Sequence, residues 1–343
     1  MATSANDAGG MDALIAAAKR EGTLNALGIA REWAGYGALI DGFERQYGIT
    51  VRNEKPSTTS TQDKFDALKN SRKGQAHAPD VIAFGDTYPR AAAQQNLLAP
   101  YKVAAYDAIP ANQKDPQARW TNNYGGYTSI GCDAGRVKQC PRTFADLLKP
   151  QYKGMVAIES DPIKNSSAIP AVYAAALANG GSFDDVGPGI EFFVKLKSLG
   201  NLYSGPRSET TINDGKIPIL IDHDFYNLDY ADKMRSKGVE WKVSIPFDGS
   251  FAQYYAFTVN KHAPHPAAAR LWMEWVFSPE GQNIRLNGYA RPVLMQVMEE
   301  DGTLDKAAAA RMPAVEGTPQ FPTDKQLEKA RKMIAKGWPE GLG

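Results

Sequence analysis

What most constrains this chain is an alternation of apolar strands and amphipathic helices that begins near residue 11 and starts again after residue 125. Residues 11–21 (MDALIAAAKRE) set Leu14, Ile15 and Ala18 on one stripe and stop at Gly22, the pattern of a helix. Residues 23–29 read as a buried strand, and 36–47 as an amphipathic helix with Leu39, Ile40 and Phe43 on one face. A second strand, 49–54, precedes a helix over 62–71, where Ser60 and Asp63 supply an S-x-x-D cap. A third strand, 80–84, leads into a helix running through Asn96. Strand–helix–strand–helix–strand is the signature of an open parallel sheet.

The second round has a strand at 154–159 (GMVAIE), an alanine-rich helix at 168–178 and a helix at 191–199. A short helix at 208–214 stops at Gly215 and feeds the strand 217–221 (IPILI). A strand at 254–259 and helices at 267–277 and 325–335 follow. A length of 343 residues suits two lobes or one large barrel, and the repeated alternation favours two α/β lobes. With 43% hydrophobic and 22% charged residues, disorder is excluded. Lys+Arg at 39 against Asp+Glu at 38 leaves +1, and there is no basic run, so no nucleic-acid partner is expected. No apolar run approaches the ~20 residues of a membrane span.

Residues 1–10 (MATSANDAGG) lack the charged and apolar segments of a signal peptide. They fit either the start of a cytosolic protein or a mature secreted sequence with an added start Met. Cys132 and Cys140 lie eight positions apart and read as a disulfide or as two free thiols; the spacing does not suit zinc. A disulfide favours the periplasm or the cell exterior.

Ligands of open α/β sheets sit beyond the carboxyl ends of the strands. The segments there are Ala30-Arg31-Glu32-Trp33, Pro56 to Ser60, Gly85-Asp86-Thr87-Tyr88, Ser160 to Ser167, Asp222 to Tyr226 and Asp248 to Phe251. Hydroxyls, carboxylates and aromatics recur in them. Asn165-Ser166-Ser167 precedes the alanine-rich helix, so a serine N-cap there is either an anion site or a plain cap. Ser57 to Ser60 carry the same two readings. Asp222 and Asp224 alternate at a strand end and should point to one side, to meet a cation, an amine or hydroxyls, or only solvent. His262 and His265 read as a polar turn, and Trp272 and Trp275 as packing. No nucleophile, zinc-protease, phosphate-loop or dinucleotide motif is present, which leaves an enzyme as the weaker expectation.

The segments LIAAAKREGTLNALG, LIDGFERQYGITV and APDVIAFGDTYPRAAAQQNLL resemble the first lobe of periplasmic solute-binding proteins of ABC importers. INDGKIPILIDHDF, FTVNKHAPHPAAARLWMEWVFSPEGQ and YARPV are similar to later parts of the same proteins, in the extracellular family 1 group of ferric-iron, polyamine, phosphonate and sugar-phosphate binders. The resemblance implies a two-lobe type II periplasmic-binding-protein fold, with hinge crossovers near 125–130 and 251–257 and the ligand held between the lobes on closure. It places the N-terminal lobe at 11–126 with 255–305 and the C-terminal lobe at 127–254, and leaves the tail 306–343 unassigned.

It further implies export to the periplasm with the signal peptide removed, a monomer, an inner-membrane permease as partner, and neither cofactor, metal nor catalytic residue. Its ligand positions match Arg31, Trp33, Ser57, Thr58, Thr59, Asp86 and Thr87 in the first lobe. In the second they match Asn165, Ser166, Ser167, Asp222, Asp224, Phe225 and Tyr226. Ferric-binding members carry an adjacent tyrosine pair after the last of these strands, whereas DHDFYNLDY has Tyr226 alone and the pair Tyr254-Tyr255 falls in a hinge strand. Fe(III) needs several hard anionic oxygens, so the expectation is a small anionic or zwitterionic organic solute. A polyamine or ferric binder of the same fold is the alternative, and an α/β enzyme using Asp222, His223 and Asp224 the alternative of another class.

Overall fold

A computed structural model describes residues 2–53, 60–85, 88–203, 205, 207–315 and 319–338. The chain divides into two compact units, residues 1–125 with 254–311 and residues 126–253 with 312–343. The first opens with α1 (Met11–Glu21), β1 (Thr23–Leu27), α2 (Tyr36–Tyr47), β2 (Thr50–Asn53), α3 (Thr61–Asn70), β3 (Val81–Gly85), α4 (Tyr88–Gln94) and β4 (Leu98–Ala99). The long strand β5 (Trp120–Asp133) leads into the second unit. There lie α5 (Phe144–Leu147), β6 (Val156–Ile158), α6 (Ile169–Ala178), α7 (Gly187–Ser198), α8 (Glu209–Asn213), β7 (Ile219–His223), α9 (Asp224–Arg235) and β8 (Trp241–Ser244). Through β9 (Ala252–Asn260) the chain returns to the first unit, for α10 (Pro266–Val276), α11 (Pro279–Asn287), β10 (Arg291–Pro292), α12 (Met295–Glu300) and α13 (Lys306–Ala309). Finally α14 (Asp324–Gly337) rejoins the second.

In the first unit β1 is parallel to β2 (Thr23↔Thr50) and to β3 (Ala26↔Val81), and β3 is antiparallel to β9 (Val81↔Val259). The helices behave as their sequences demand. α1 and α2 end on Gly22 and Gly48 in the left-handed conformation, which closes the last turn at no Cβ cost. Ser60 and Asp63 form a reciprocal capping box on α3. Trp272 and Trp275 on α10 are core residues, with Trp272 against Phe43 at 5.2 Å and the Trp275 indole N–H donating to Leu39 O at 3.0 Å. His265 faces Asp80 through Nδ1 at 2.8 Å just before α10, a local tie rather than a metal pair.

The second unit has β6 parallel to β7 (Val156↔Ile219), and β7 and β8 each antiparallel to the later half of β5. Its core joins Ile130, Phe144, Tyr173, Phe193, Ile219 and Ile221, and Leu327, Ala330, Ile334 and Trp338 from the chain's end belong to it. Sequence periodicity gives no helix after the strand 217–221, where the structure has α9. The helix begins directly after His223, and its residues DFYNLDYADKMR spread acids and aromatics around all faces without an apolar stripe. Gly126 of β5 is where that helix comes closest, because a Cβ there would lie 2.3 Å from Asp224 Oδ1 and 2.6 Å from the Phe225 ring.

Cys132 and Cys140 form a disulfide with Cα atoms 5.8 Å apart. A loop of this length restricts the unfolded chain by about 2–3 kcal/mol. Replacing both cysteines with alanine should lower the urea stability of the second unit by that amount, with the fold retained; an unchanged unfolding midpoint would contradict it.

Candidate functional site

In the second unit the parallel pair β6–β7 ends with Ile158 opposite Ile221, and the chain then supplies Glu159 on one strand and Asp222 and His223 on the other. Glu159 N donates to Ile221 O at 3.0 Å, which fixes the two strand ends side by side. Asp222 is buried, with one oxygen accepting from Arg207 Nη2 at 2.9 Å and the other from the His223 backbone N–H at 2.7 Å. Arg207, just ahead of α8, also donates through Nη1 to Glu159 O. The His223 ring is buried as well, with Nδ1 3.5 Å from Asp222 Oδ1 and Nε2 3.0 Å from Gln253 Oε1. Both ring nitrogens thus face oxygens, the arrangement that suits a protonated imidazole.

The electrostatics follow from that packing. Burial raises the Glu159 carboxyl above the ordinary carboxylate range and the charge of Asp222 adds to it, while His223, Ser167 and Arg207 hold it back. For His223 burial works against the charged form, but the hydrogen bond to Asp222, the charges of Asp222 and Glu159, and Gln253 outweigh it and leave the imidazole raised. Among the described residues, Glu159 Oε2, Ser160 Oγ and Arg207 Nε are buried with no hydrogen-bond partner. Buried polar atoms are normally satisfied, so an acceptor, a hydroxyl and a cationic donor left open in one neighbourhood suit a polar molecule that offers both donors and acceptors.

The expected serine cap of the next helix is replaced by an asparagine cap. Asn165 Oδ1 accepts from Ser167 N at 3.1 Å, and a short 3-10 turn, Ser166–Ala168, runs into α6. Ser167 Oγ instead donates to Glu159 Oε1 at 2.6 Å, and Asn165 Nδ2 reaches the same oxygen at 3.5 Å. Ser166 is half-buried in the same turn. Phe225 packs on His223 at 5.0 Å and on Tyr226 at 4.6 Å. Asp224 is fully buried and accepts from the backbone N–H groups of Tyr127 and Phe225, each at 3.0 Å, so it ties α9 to β5 while Asp222 meets Arg207.

The structure therefore brings Asn165, Ser167 and Asp222 together with two residues that sequence reasoning passed over, Glu159 and Arg207. Each carried a faint signal: a lone acid closing the strand GMVAIE, and a lone arginine in the turn GPRS before a short helix.

In the first unit Arg31 lies on the loop after β1 and pairs with Asp41 of α2, both side chains more than half exposed. Such an exposed pair contributes little to stability. Trp33 is half-buried on the same loop, in a turn closed by Trp33 N donating to Ala30 O at 3.0 Å. Ser57, Thr58, Thr59, Asp86 and Thr87 lie outside the described residues. The pair Tyr254-Tyr255 is in β9, where Tyr255 stacks on Tyr124 at 5.2 Å.

Residues 76–315, well over half of the chain, match the family described as "Bacterial extracellular solute-binding protein". A Haemophilus influenzae protein described as uncharacterized is 25% identical over 258 residues, 71% of this chain and 69% of that one. Among solved structures, the apo ferric ion-binding protein A of Pasteurella haemolytica is 18% identical, with a TM-score of 0.70 over 94% of this chain and 99% of that one. An ABC transporter structure from Clostridium perfringens is 15% identical, with a TM-score of 0.64 over 94% of this chain and 99% of that one. At these identities the likeness carries the fold, a two-lobe α/β architecture of the periplasmic-binding-protein kind.

Two predictions follow from the charged cluster. Arg207→Met leaves the Asp222 carboxylate buried without its cation and should cost about 3 kcal/mol in urea unfolding, more than Arg31→Met, which should cost under about 1 kcal/mol. Glu159 and His223 both hold protons more tightly folded than unfolded, so each contribution is present at low pH and lost as pH rises through its folded-state value. Stability should fall from pH 5 to pH 8. Glu159→Gln should flatten the early part of that fall and His223→Gln the later part; a wild-type stability that rises over this range would contradict both assignments.

Proposed function

The chain belongs to the bacterial extracellular solute-binding proteins, and on that footing we propose that it is the periplasmic substrate-binding component of an ABC importer. In this reading it captures a small anionic or zwitterionic organic solute, of phosphonate, phosphate or carboxylate type, by lobe closure and passes it unchanged to an inner-membrane permease, acting as a monomer. The family is one of transport binding proteins and not of enzymes.

One observation carries the solute class: Arg207, Glu159, Asp222 and His223 are gathered at the carboxyl ends of β6 and β7 with Arg207 Nε, Glu159 Oε2 and Ser160 Oγ unpartnered. A negatively charged group suits the guanidinium, and hydroxyl or ammonium donors suit the carboxyl and the serine. Iron is named for several structural neighbours and spermidine/putrescine for another. Here the start of α9 offers Phe225 and Tyr226 rather than two tyrosines. That chemistry supports an organic solute over bare iron.

A thermal-shift screen against phosphonates, sugar phosphates, amino acids, polyamines and ferric chelates tests the reading. One phosphonate, phosphate or carboxylate class should stabilise the protein by about 2.7 kcal/mol at a hundred times its dissociation constant and be recovered unaltered. A response confined to polyamines or ferric chelates rejects the solute class, and turnover of the captured compound rejects a binding protein altogether.

A further inference from the structure

The first unit holds a half-buried lysine at the topological position that the charged cluster occupies in the second. Lys64, on α3, sends its side chain beneath the turn that follows β1. Gly28 in that turn has φ +80°, and a Cβ placed on it would lie 2.5 Å from Lys64 Cε and 2.6 Å from Nζ. The ammonium reaches Ala83 O of β3 at 3.4 Å, its one contact among the described residues. Nζ thus sits at the carboxyl ends of the parallel strands β1 and β3, where open sheets take their ligands.

Among the described residues no acid is paired with it. β1 (TLNAL) and β3 (VIAFG) carry no ionisable side chain, Asp63 of α3 is engaged with Ser60, and Asp66 accepts from Gln62. Burial alone pushes the Lys64 ammonium down to about 8, with no charged neighbour contributing. Arg285, one of the buried arginines of this unit, is provided for quite differently. Arg285 lies 3.9 Å and 4.2 Å from the ring centres of Tyr36 and Tyr124, and donates to Asn123 Oδ1 at 3.0 Å and to Ala34 O at 2.7 Å. Arg285 is enclosed by rings and held by two hydrogen bonds, with Nη2 left over, whereas the Lys64 ammonium makes one long hydrogen bond among the described residues.

We propose that Lys64 is a cationic contact of the first unit for an anionic solute, an assignment that rests on the anionic-solute reading above. A strand-end glycine without a Cβ leaves the lysine room to reach that position, and the methylene stem packs while the ammonium stays available.

The test uses the full chain, with inorganic phosphate, methylphosphonate and propionate as anionic probes and spermidine as the cationic control, in calorimetric titrations of wild type, Lys64→Met and Lys64→Arg. Wild type should bind at least one anion. Lys64→Met should weaken that binding tenfold or more with an unfolding midpoint no lower than wild type, and Lys64→Arg should stay within about threefold. The ratio of wild-type to Lys64→Arg affinity should drop about tenfold between pH 7 and pH 9, as the lysine discharges and the arginine does not. That ratio cancels the titration of the probe and of the second unit's groups, and it can be read even if Lys64→Met fails to fold. Anion binding that Lys64→Met leaves intact, or a pH-independent ratio, overturns the Lys64 assignment alone. A wild type that binds none of the three anions, with or without a response to spermidine, overturns the solute class and the assignment together.

Discussion

Asp222 carries its charge out of water at the end of β7, and the arrangement of the second unit around that strand end is what permits it. A buried carboxylate is tolerated only with good partners, and here they come from three directions: Arg207, the His223 backbone and the His223 ring. Behind it runs a relay of neutral hydrogen bonds. Trp241 Nε1 of β8 donates to Asn227 Oδ1 on α9 at 3.3 Å, Asn227 Nδ2 donates to Ser129 Oγ of β5 at 2.9 Å, and Ser129 Oγ donates to the Asp222 carbonyl at 2.9 Å. Three elements are thereby registered against the residue that bears the charge, and α9 cannot shift along β5 without breaking the relay. Asp224, one turn-start later, pins the same helix to Tyr127.

An arrangement of this kind is a poor way to gain stability. Replacing a buried ion cluster by apolar side chains of similar volume is often neutral or favourable, whereas removing one member is costly. The surrounding core of Phe144, Tyr173, Phe193, Ile219 and Ile221 offers the apolar alternative close at hand. On the proposed function, the donors and acceptors this cluster leaves open are the ones a polar solute would meet. In the first unit the buried Arg285 is enclosed by rings and held by Asn123 and Ala34, while the half-buried Lys64 makes a single long hydrogen bond among the described residues.

How much of this was legible beforehand depends on the range over which each signal acts. α1 and α2 could be read to the residue because amphipathic spacing and a stop glycine are both local. The disulfide was one of two readings of a local spacing, and the structure selects it. α9 was not legible, because a helix that buries Asp224 and Asn227 along with Phe225 and Met234 shows no clean apolar stripe. The serine-rich turn was recognised as a helix start, but which side chain caps and which turns inward depends on Glu159, six to eight residues upstream on a neighbouring strand. Arg207 meets Asp222 across fifteen residues, and Lys64 meets Ala83 across nineteen. Contacts of that kind exist only once the sheet orders its strands, and a single sequence contains no local trace of them.

The central claim, that the strand ends of β6 and β7 form the seat of a small charged solute, is tested most directly by hydrogen exchange read by mass spectrometry with and without the phosphonate, phosphate or carboxylate that stabilises the protein most. The account predicts slowed exchange in the second unit at 159–167, around Arg207 and at 222–226, while the distant backbone of α14 is unchanged. Slowed exchange that leaves those three segments untouched would contradict it.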